Sequence, residues 1–341
     1  MDPAMIDPAE AAIKERNRTL LISGSVVGFA YGFGLRLLSF FFPHFLSREG
    51  TWVMTVGFTV FLPFAMGFIA VFIAEMKQRQ RVWIWLFLPW IPLAATLAAT
   101  MLAYLEGTIC VVMFAPLGMV VSTVGGVIGG LAARSLASRR SRNASLACVM
   151  LLPFLVTSWE KPVLYRQNVR RVENVIDIHA SAATVWRNIE RVPAIRREEL
   201  PSSWSHRVGF PDPLEATLSH EGIGGVREAS FTGGVLFIET LDVWEPERRL
   251  AFSIRAQTER IPPTTLDEHV RVGGPYFDVL RGEYRLEALG NGVVRLHLSS
   301  EHRISTDFNW YAHLWTDVVM ADLQKRILFV IQQRCEGASQ K

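Results

Sequence analysis

Four apolar runs of bilayer length dominate the first half of the chain: Thr19–Phe42, Trp52–Ala74, Val82–Leu105 and Thr108–Ala133. A helix needs about 20 apolar residues to cross a hydrocarbon core of ~30 Å. These runs therefore predict transmembrane helices and exclude an ordinary soluble fold for this half. A fifth stretch, Asn143–Trp159, has 17 uncharged residues and contains Pro153. It is long enough either to cross or to lie in the interface.

Charge divides the chain in the same place. Residues 1–160 carry 12 Lys+Arg and 8 Asp+Glu, whereas residues 161–341 carry 23 and 24. The small basic excess lies in short loops beside apolar runs, which is a topology signal and gives no support for nucleic-acid binding. Lys14, Arg16 and Arg18, then Lys77, Arg79 and Arg81, then Arg134, Arg139, Arg140 and Arg142 fall on one side of the expected bundle. Only Arg48 falls on the other. The N-terminus is accordingly expected in the cytoplasm of a cell bounded by a bacterial inner (plasma) membrane. If the fifth stretch crosses, the second half lies outside; Lys161, Arg166, Arg170 and Arg171 pull against that. Cys110, Cys148 and Cys335 show no metal or disulfide spacing, and no cofactor motif is present.

Within the expected bundle, Gly24, Gly28 and Gly32 share one helix face, as do Gly118, Ser122, Gly126 and Gly130. Such faces let backbones approach closely. Pro63, Pro89, Pro92 and Pro116 sit inside spans, where neighbouring helices tolerate kinks. No buried acid is expected in any span. Arg36 is the one charge well inside a span, and its stem is expected to carry the guanidinium to the outer interface.

The periodicity changes after residue 172. Val172–His179 reads as a strand, Ser181 caps a helix over Ala182–Arg191, and a second short helix is expected in Ala194–Glu199. Strands follow at Ala216–His220, Gly225–Thr232, Val235–Trp244, Arg249–Gln257, Phe277–Ala288 and Val293–Ile304. Gly233-Gly234 and Gly290-Asn291-Gly292 are among the turns, and a polar loop with Pro262 and Pro263 precedes Phe277. A long helix closes the chain, Trp310–Glu336, with Trp315, Val319, Leu323, Ile327, Val330 and Ile331 as its stripe. The expected organisation is a cytoplasmic segment over 1–18, an all-α transmembrane bundle of four or five helices over 19–159, a linker over 160–171, an α+β domain over 172–336 and a tail over 337–341.

The stretch VIDIHASAATVWRNIERVPAI resembles the opening strand and helix of the START-like, helix-grip superfamily. GVREASFTGGVLFIETLDVWEPERRLAFSI and GEYRLEALGNGVVRLHLSS resemble its hairpins, and the helix from Trp310 matches in place and character. The resemblance covers residues 172–336. It implies a curved antiparallel sheet around the last helix, with an apolar ligand held between them, as in lipid-transfer and polyketide cyclase/dehydrase-type proteins.

Alternation sorts the strand residues by face. Leu250, Phe252 and Ile254, then Leu280, Tyr284 and Leu286, then Val294, Leu296, Leu298, Ser300 and His302 are expected inward. Glu239 shares a face with Val235, Phe237, Leu241 and Val243, where an unpaired acid is costly. Arg227, across the Gly233-Gly234 turn, is its expected partner. Arg227, Glu239, Phe252, Tyr284, Leu296, His302, Trp315 and Val319 are thus the candidate ligand-binding residues, with no catalytic or metal set among them. His313 and Asp317, four apart on the last helix, are expected as a surface pair. The leading expectation is non-catalytic binding of a hydrophobic or amphipathic small molecule, such as a lipid, by a membrane-anchored domain. The alternatives are a cyclase or dehydratase using Glu239, Tyr284 or His302 for proton transfer, and a membrane assembly or sensory protein.

Overall fold

A computed structural model describes residues 8–43, 54–160, 168–261, 266 and 270–338. Arg48, Lys161, Arg166, Pro262 and Pro263, weighed above, lie outside the described residues. The chain forms two compact units that divide near residue 163.

The apolar unit contains α1 (Pro8–Phe41), α2 (Leu62–Lys77), α3 (Val82–Phe87), α4 (Trp90–Leu102), α5 (Thr108–Ser135) and α6 (Arg139–Trp159), with one π-helical turn, Gly57–Phe61, leading into α2. Among the described residues, five segments are long and apolar enough to cross a membrane: Lys14–Phe41, Gly57–Met76, Val82–Leu102, Thr108–Ser135 and Arg139–Trp159. The third is broken between α3 and α4 at Pro89, which lacks the N–H that would continue the helix. The fifth extends four residues before Asn143, because Ser138 caps it by accepting the Ser141 backbone N–H at 3.0 Å.

The central helix is α2. In its span 78% of residues are buried, against 22% in α5 and 17% in α6. Glycine explains the approach: a Cβ on Gly24 of α1 would strike the Ala70 carbonyl, and one on Gly67 would strike that of Ser122. A Cβ on Gly125 or Gly129 of α5 would likewise meet the carbonyls of Phe64 and Phe68. Gly126 and Gly130, from the stripe singled out in the sequence, instead face Pro89 and Trp85. Thus α5 meets α2 through Ser122 of that stripe and through Gly125 and Gly129, which lie one position off it.

One expectation about charge is overturned. Glu75, one residue beyond the apolar run that marked the second span, is buried within the segment. It accepts from Arg134 Nε at 2.7 Å, from Trp85 Nε1 at 3.1 Å and from the Gln80 backbone N–H at 2.9 Å. The Arg134 guanidinium also lies 4.2 Å from the Trp85 ring centre. Arg36 reaches the loop that joins the third and fourth segments. It is buried, with Nε 2.7 Å from Glu106 and its other nitrogens donating to Ser39 Oγ and the Leu105 carbonyl. Each of the two is buried beside an oppositely charged partner with further hydrogen bonds, which offset the cost of desolvation.

The second unit is a seven-stranded antiparallel sheet of order β1-β7-β6-β5-β4-β3-β2. Its strands are β1 (Asn168–Ile178), β2 (Pro213–Leu218), β3 (Val226–Phe231), β4 (Leu236–Glu245), β5 (Arg249–Ala256), β6 (Phe277–Gly290) and β7 (Val293–Ile304). The helices α7 (Ala182–Glu190), α8 (Trp204–Arg207) and α9 (Asn309–Ala338) accompany it. The curved sheet with a long terminal helix is the helix-grip arrangement. The helix expected over Ala194–Glu199 is reduced to a single 3-10 turn, Arg197–Glu199. Gly290, Asn291 and Gly292 all take positive φ (86°, 54° and 73°), which makes the tight β6–β7 turn possible.

Register gives the domain two distinct ends. Asn168 pairs with Ile304, close to the start of α9, whereas Ile178 pairs with Val294 at the other end. There Glu336, near the end of α9, accepts the His179 backbone N–H. The apolar core gathers toward this far end, where Val185, Trp186 and Ile189 of α7 and Leu328, Ile331 and Cys335 of α9 meet Ile178, Leu250 and Leu296.

Two bulges shape the inner face. One at Asp242 shifts the β4–β5 register, and Trp244 then turns onto Trp186, with ring centres 5.1 Å apart. The other, at Leu280, corrects an expectation: Val279 is buried in its place, because the extra residue reverses the alternation upstream of Arg281.

Candidate ligand-binding site

The inner face of the sheet brings Arg227 of β3 and Glu239 of β4 directly opposite one another. Arg227 donates to Glu239 Oε2 at 3.0 Å, and the two side chains are 4% and 8% exposed. The Arg227 guanidinium lies 5.4 Å from the Phe252 ring centre and 5.7 Å from that of Tyr284. Phe252 and Tyr284 are themselves 6.2 Å apart. Gly282 makes room for this stack, because a Cβ there would meet the Phe252 ring. Burial pushes the Glu239 carboxyl above the ordinary carboxylate range, against the pull of Arg227. Burial likewise raises the Tyr284 phenol. The Arg227 Nε is buried without a hydrogen-bond partner.

Of the candidate residues, Arg227, Glu239, Phe252 and Tyr284 come together, and Leu296 joins them through the apolar core that contains Phe252 and Tyr284. His302, Trp315 and Val319 belong to a second group along β7 and the first half of α9. His302 is fully buried, with Nε2 3.3 Å from Thr316 Oγ1 and 3.6 Å from Asp317. Burial lowers its pKa, Asp317 opposing. Asp317 also receives two nitrogens of Arg170, at 3.0 and 2.6 Å. The expected His313–Asp317 surface pair is thus replaced: His313 Nδ1 turns back to the Asn309 carbonyl at 2.8 Å, and Asp317 faces β1. Trp315 packs on Trp204 and Tyr311, and Val319 is half-buried.

Polar side chains extend this second group in a way that the apolar stripe did not suggest. Gln324 is buried on α9, donating to Ser300 Oγ at 2.7 Å and accepting from Asn174 at 2.7 Å. On another side of α9, Asp322 accepts from Ser203 and Ser205, and Arg326 pairs with Asp212 at 2.6 Å. His206 lies in the same cluster, its pKa lowered by burial. The far half of the α9–sheet interface is therefore apolar and the near half is rich in hydrogen bonds. Met320, Gln324 and Leu328 recur four apart, so a polar residue on the buried face was the sequence signal for this change.

No protein-family profile matches the chain, and no curated protein matches it. Solved structures resemble it over about half its length. DynU16, from the dynemicin biosynthetic locus, is 18% identical over 49% of this chain and 48% of its own, with a TM-score of 0.28. A truncated norcoclaurine synthase from Thalictrum flavum is 12% identical over 49% of this chain and 93% of its own, with a TM-score of 0.32. A START superfamily protein from Mycobacterium smegmatis is 8% identical over 49% and 98%, with a TM-score of 0.33. This chain thus spans about half the length of the first of these and nearly all of the other two.

Proposed function

We propose that this chain is an integral membrane protein whose helix-grip domain binds an amphipathic small molecule. The apolar body of the ligand lies against Phe252, Tyr284 and Leu296, and its oxygen-bearing head takes the Arg227 Nε. The observation that carries this reading is the buried Arg227–Glu239 pair, set among aromatic rings with one donor still unpartnered. Keeping an ion pair in such surroundings is expensive, and a well-packed apolar pair would serve stability as well or better. A polar anchor for a ligand supplies a reason to retain it. Membrane attachment suits such a ligand, which is scarce in water and concentrated in lipid.

Native mass spectrometry of the whole chain, purified in mild detergent, tests this. A bound small molecule is expected, and Arg227→Met should lose it while the chain keeps its far-UV circular dichroism. If no bound species is found, and an amphiphile panel causes no thermal shift, the reading is wrong.

A second reading is favoured by the raised carboxyl of Glu239, which suits a general acid beside Tyr284. In that case the recovered molecule would be chemically altered in the wild type and unaltered in Glu239→Gln.

A further inference from the structure

The first half of α9 carries an apolar face that the fold leaves uncovered. Trp310, Leu314 and Val318 lie four residues apart on one side of the helix and are 60%, 53% and 50% exposed. By contrast Leu328, Ile331 and Cys335, farther along α9, are closed into the core. Lys325, exposed on the same face, ends the apolar stripe with a cation. Three large side chains in register differ from the scattered single apolar residues of an ordinary surface, such as Ile223.

The placement of this face narrows what can cover it. Asn168, where the sheet begins, pairs with Ile304, and α9 starts at Asn309. The chain therefore enters the domain at the end where Trp310 lies. Glu160 closes the apolar half, eight positions before Asn168, so extended backbone separates the two by at most about 28 Å. The end of the sheet domain from which α9 starts is thus the end joined to the apolar half by a short stretch of chain. Tryptophan and tyrosine favour the headgroup region, and an amphipathic helix seats its apolar face about 5–10 Å deep there with lysine toward the phosphates.

The geometry points to a lipid bilayer surface as the partner of this face: Trp310, Leu314 and Val318 dock the helix-grip domain on the membrane that anchors it. The inference rests on the reading that the apolar half spans a bilayer. It does not depend on the Arg227 site, since docking and ligand capture use different residues.

The test places an environment-sensitive fluorophore on single cysteines, Leu314→Cys or Val318→Cys, in the whole chain reconstituted in lipid nanodiscs. Cys110 and Cys148 are replaced by serine and the buried Cys335 is kept. Both labelled positions are exposed, so a probe there does not disturb the core. Asn291→Cys, in the β6–β7 turn at the far end, is the control. Lipids carrying a nitroxide at the headgroup should remove most of the emission at Leu314 and Val318 and leave that at Asn291 unchanged. If all three probes stay equally open to an aqueous quencher, docking is overturned while the spanning helices stand. Probes shielded from water yet untouched by the labelled lipid would show protein on this face, either a second copy or the bundle, and would also overturn it. A chain that does not enter nanodiscs at all overturns the spanning reading and this inference together.

Discussion

Arg227 and Glu239 are Cα partners on neighbouring strands and meet tip to tip at 3.0 Å in the interior of the sheet domain. Removing either partner strands a buried charge. Glu239→Ala should therefore cost about 3–5 kcal/mol, and replacing both residues with apolar ones of similar size should restore much of it. Pulse proteolysis in urea on the single and double variants reads the coupling. If the two substitutions add without interaction, the ion pair is not an energetic unit.

In the apolar unit the Glu75–Arg134 pair is unequal, with side chains 1% and 30% exposed. Arg134→Ala leaves a fully buried carboxylate beside Trp85 and should cost about 3 kcal/mol. Glu75→Gln keeps the hydrogen bonds of Trp85 and Gln80 and frees an arginine that can reach water. It should cost less. Thermal unfolding in one detergent compares them, and equal losses would contradict the asymmetry.

Two glycine substitutions separate close packing from helix propensity. Gly125→Ala drives a methyl group into the Phe64 carbonyl, whereas Gly34→Ala meets open space. The first should lower the melting temperature. The second should leave it unchanged or raise it, since alanine favours helix over glycine by up to about 1 kcal/mol. The same melting assay decides both.

Glu199 receives two nitrogens of Arg334, at 2.9 and 3.2 Å, and accepts the Arg196 backbone N–H. These contacts, the Arg334 bond foremost, hold its pKa down to about 2. A carboxyl whose folded pKa lies below its unfolded value stabilises above the unfolded value. That contribution is lost as pH falls from about 4.5 toward 2. Solvent screens this half-buried pair, so Glu199→Gln should cost about 1–2 kcal/mol at pH 7 and almost nothing near pH 2. A pH series of unfolding midpoints shows whether the two proteins converge.

The inner face of β7 was readable from sequence because Val294, Leu296, Leu298, Ser300 and His302 alternate without interruption, and all five are buried. Leu280 misled because a bulge reverses parity at one residue without altering composition. Glu75 escaped notice because it closes an apolar run, where an acid reads as loop, and its partner Arg134 is 59 residues away. The Arg170–Asp317 contact spans 147 residues and leaves no local trace in either segment. Local pattern reports which side of an element is inward. Which polar groups then meet there depends on how the sheet curls around α9.

The burial of α2 has a consequence for how the protein is made. The faces of α2 toward α1 and α5 both rely on bare backbone: Gly24 abuts the Ala70 carbonyl, while Gly67 abuts that of Ser122. Synthesis delivers α1 and α2 in succession, but α5 follows only after α3 and α4 have been made. During that interval the Gly67 groove lacks the Ser122 backbone that closes it. On the membrane-spanning reading proposed above, a chain stopped just before Thr108 would hold α1 to α4 with that groove open to lipid.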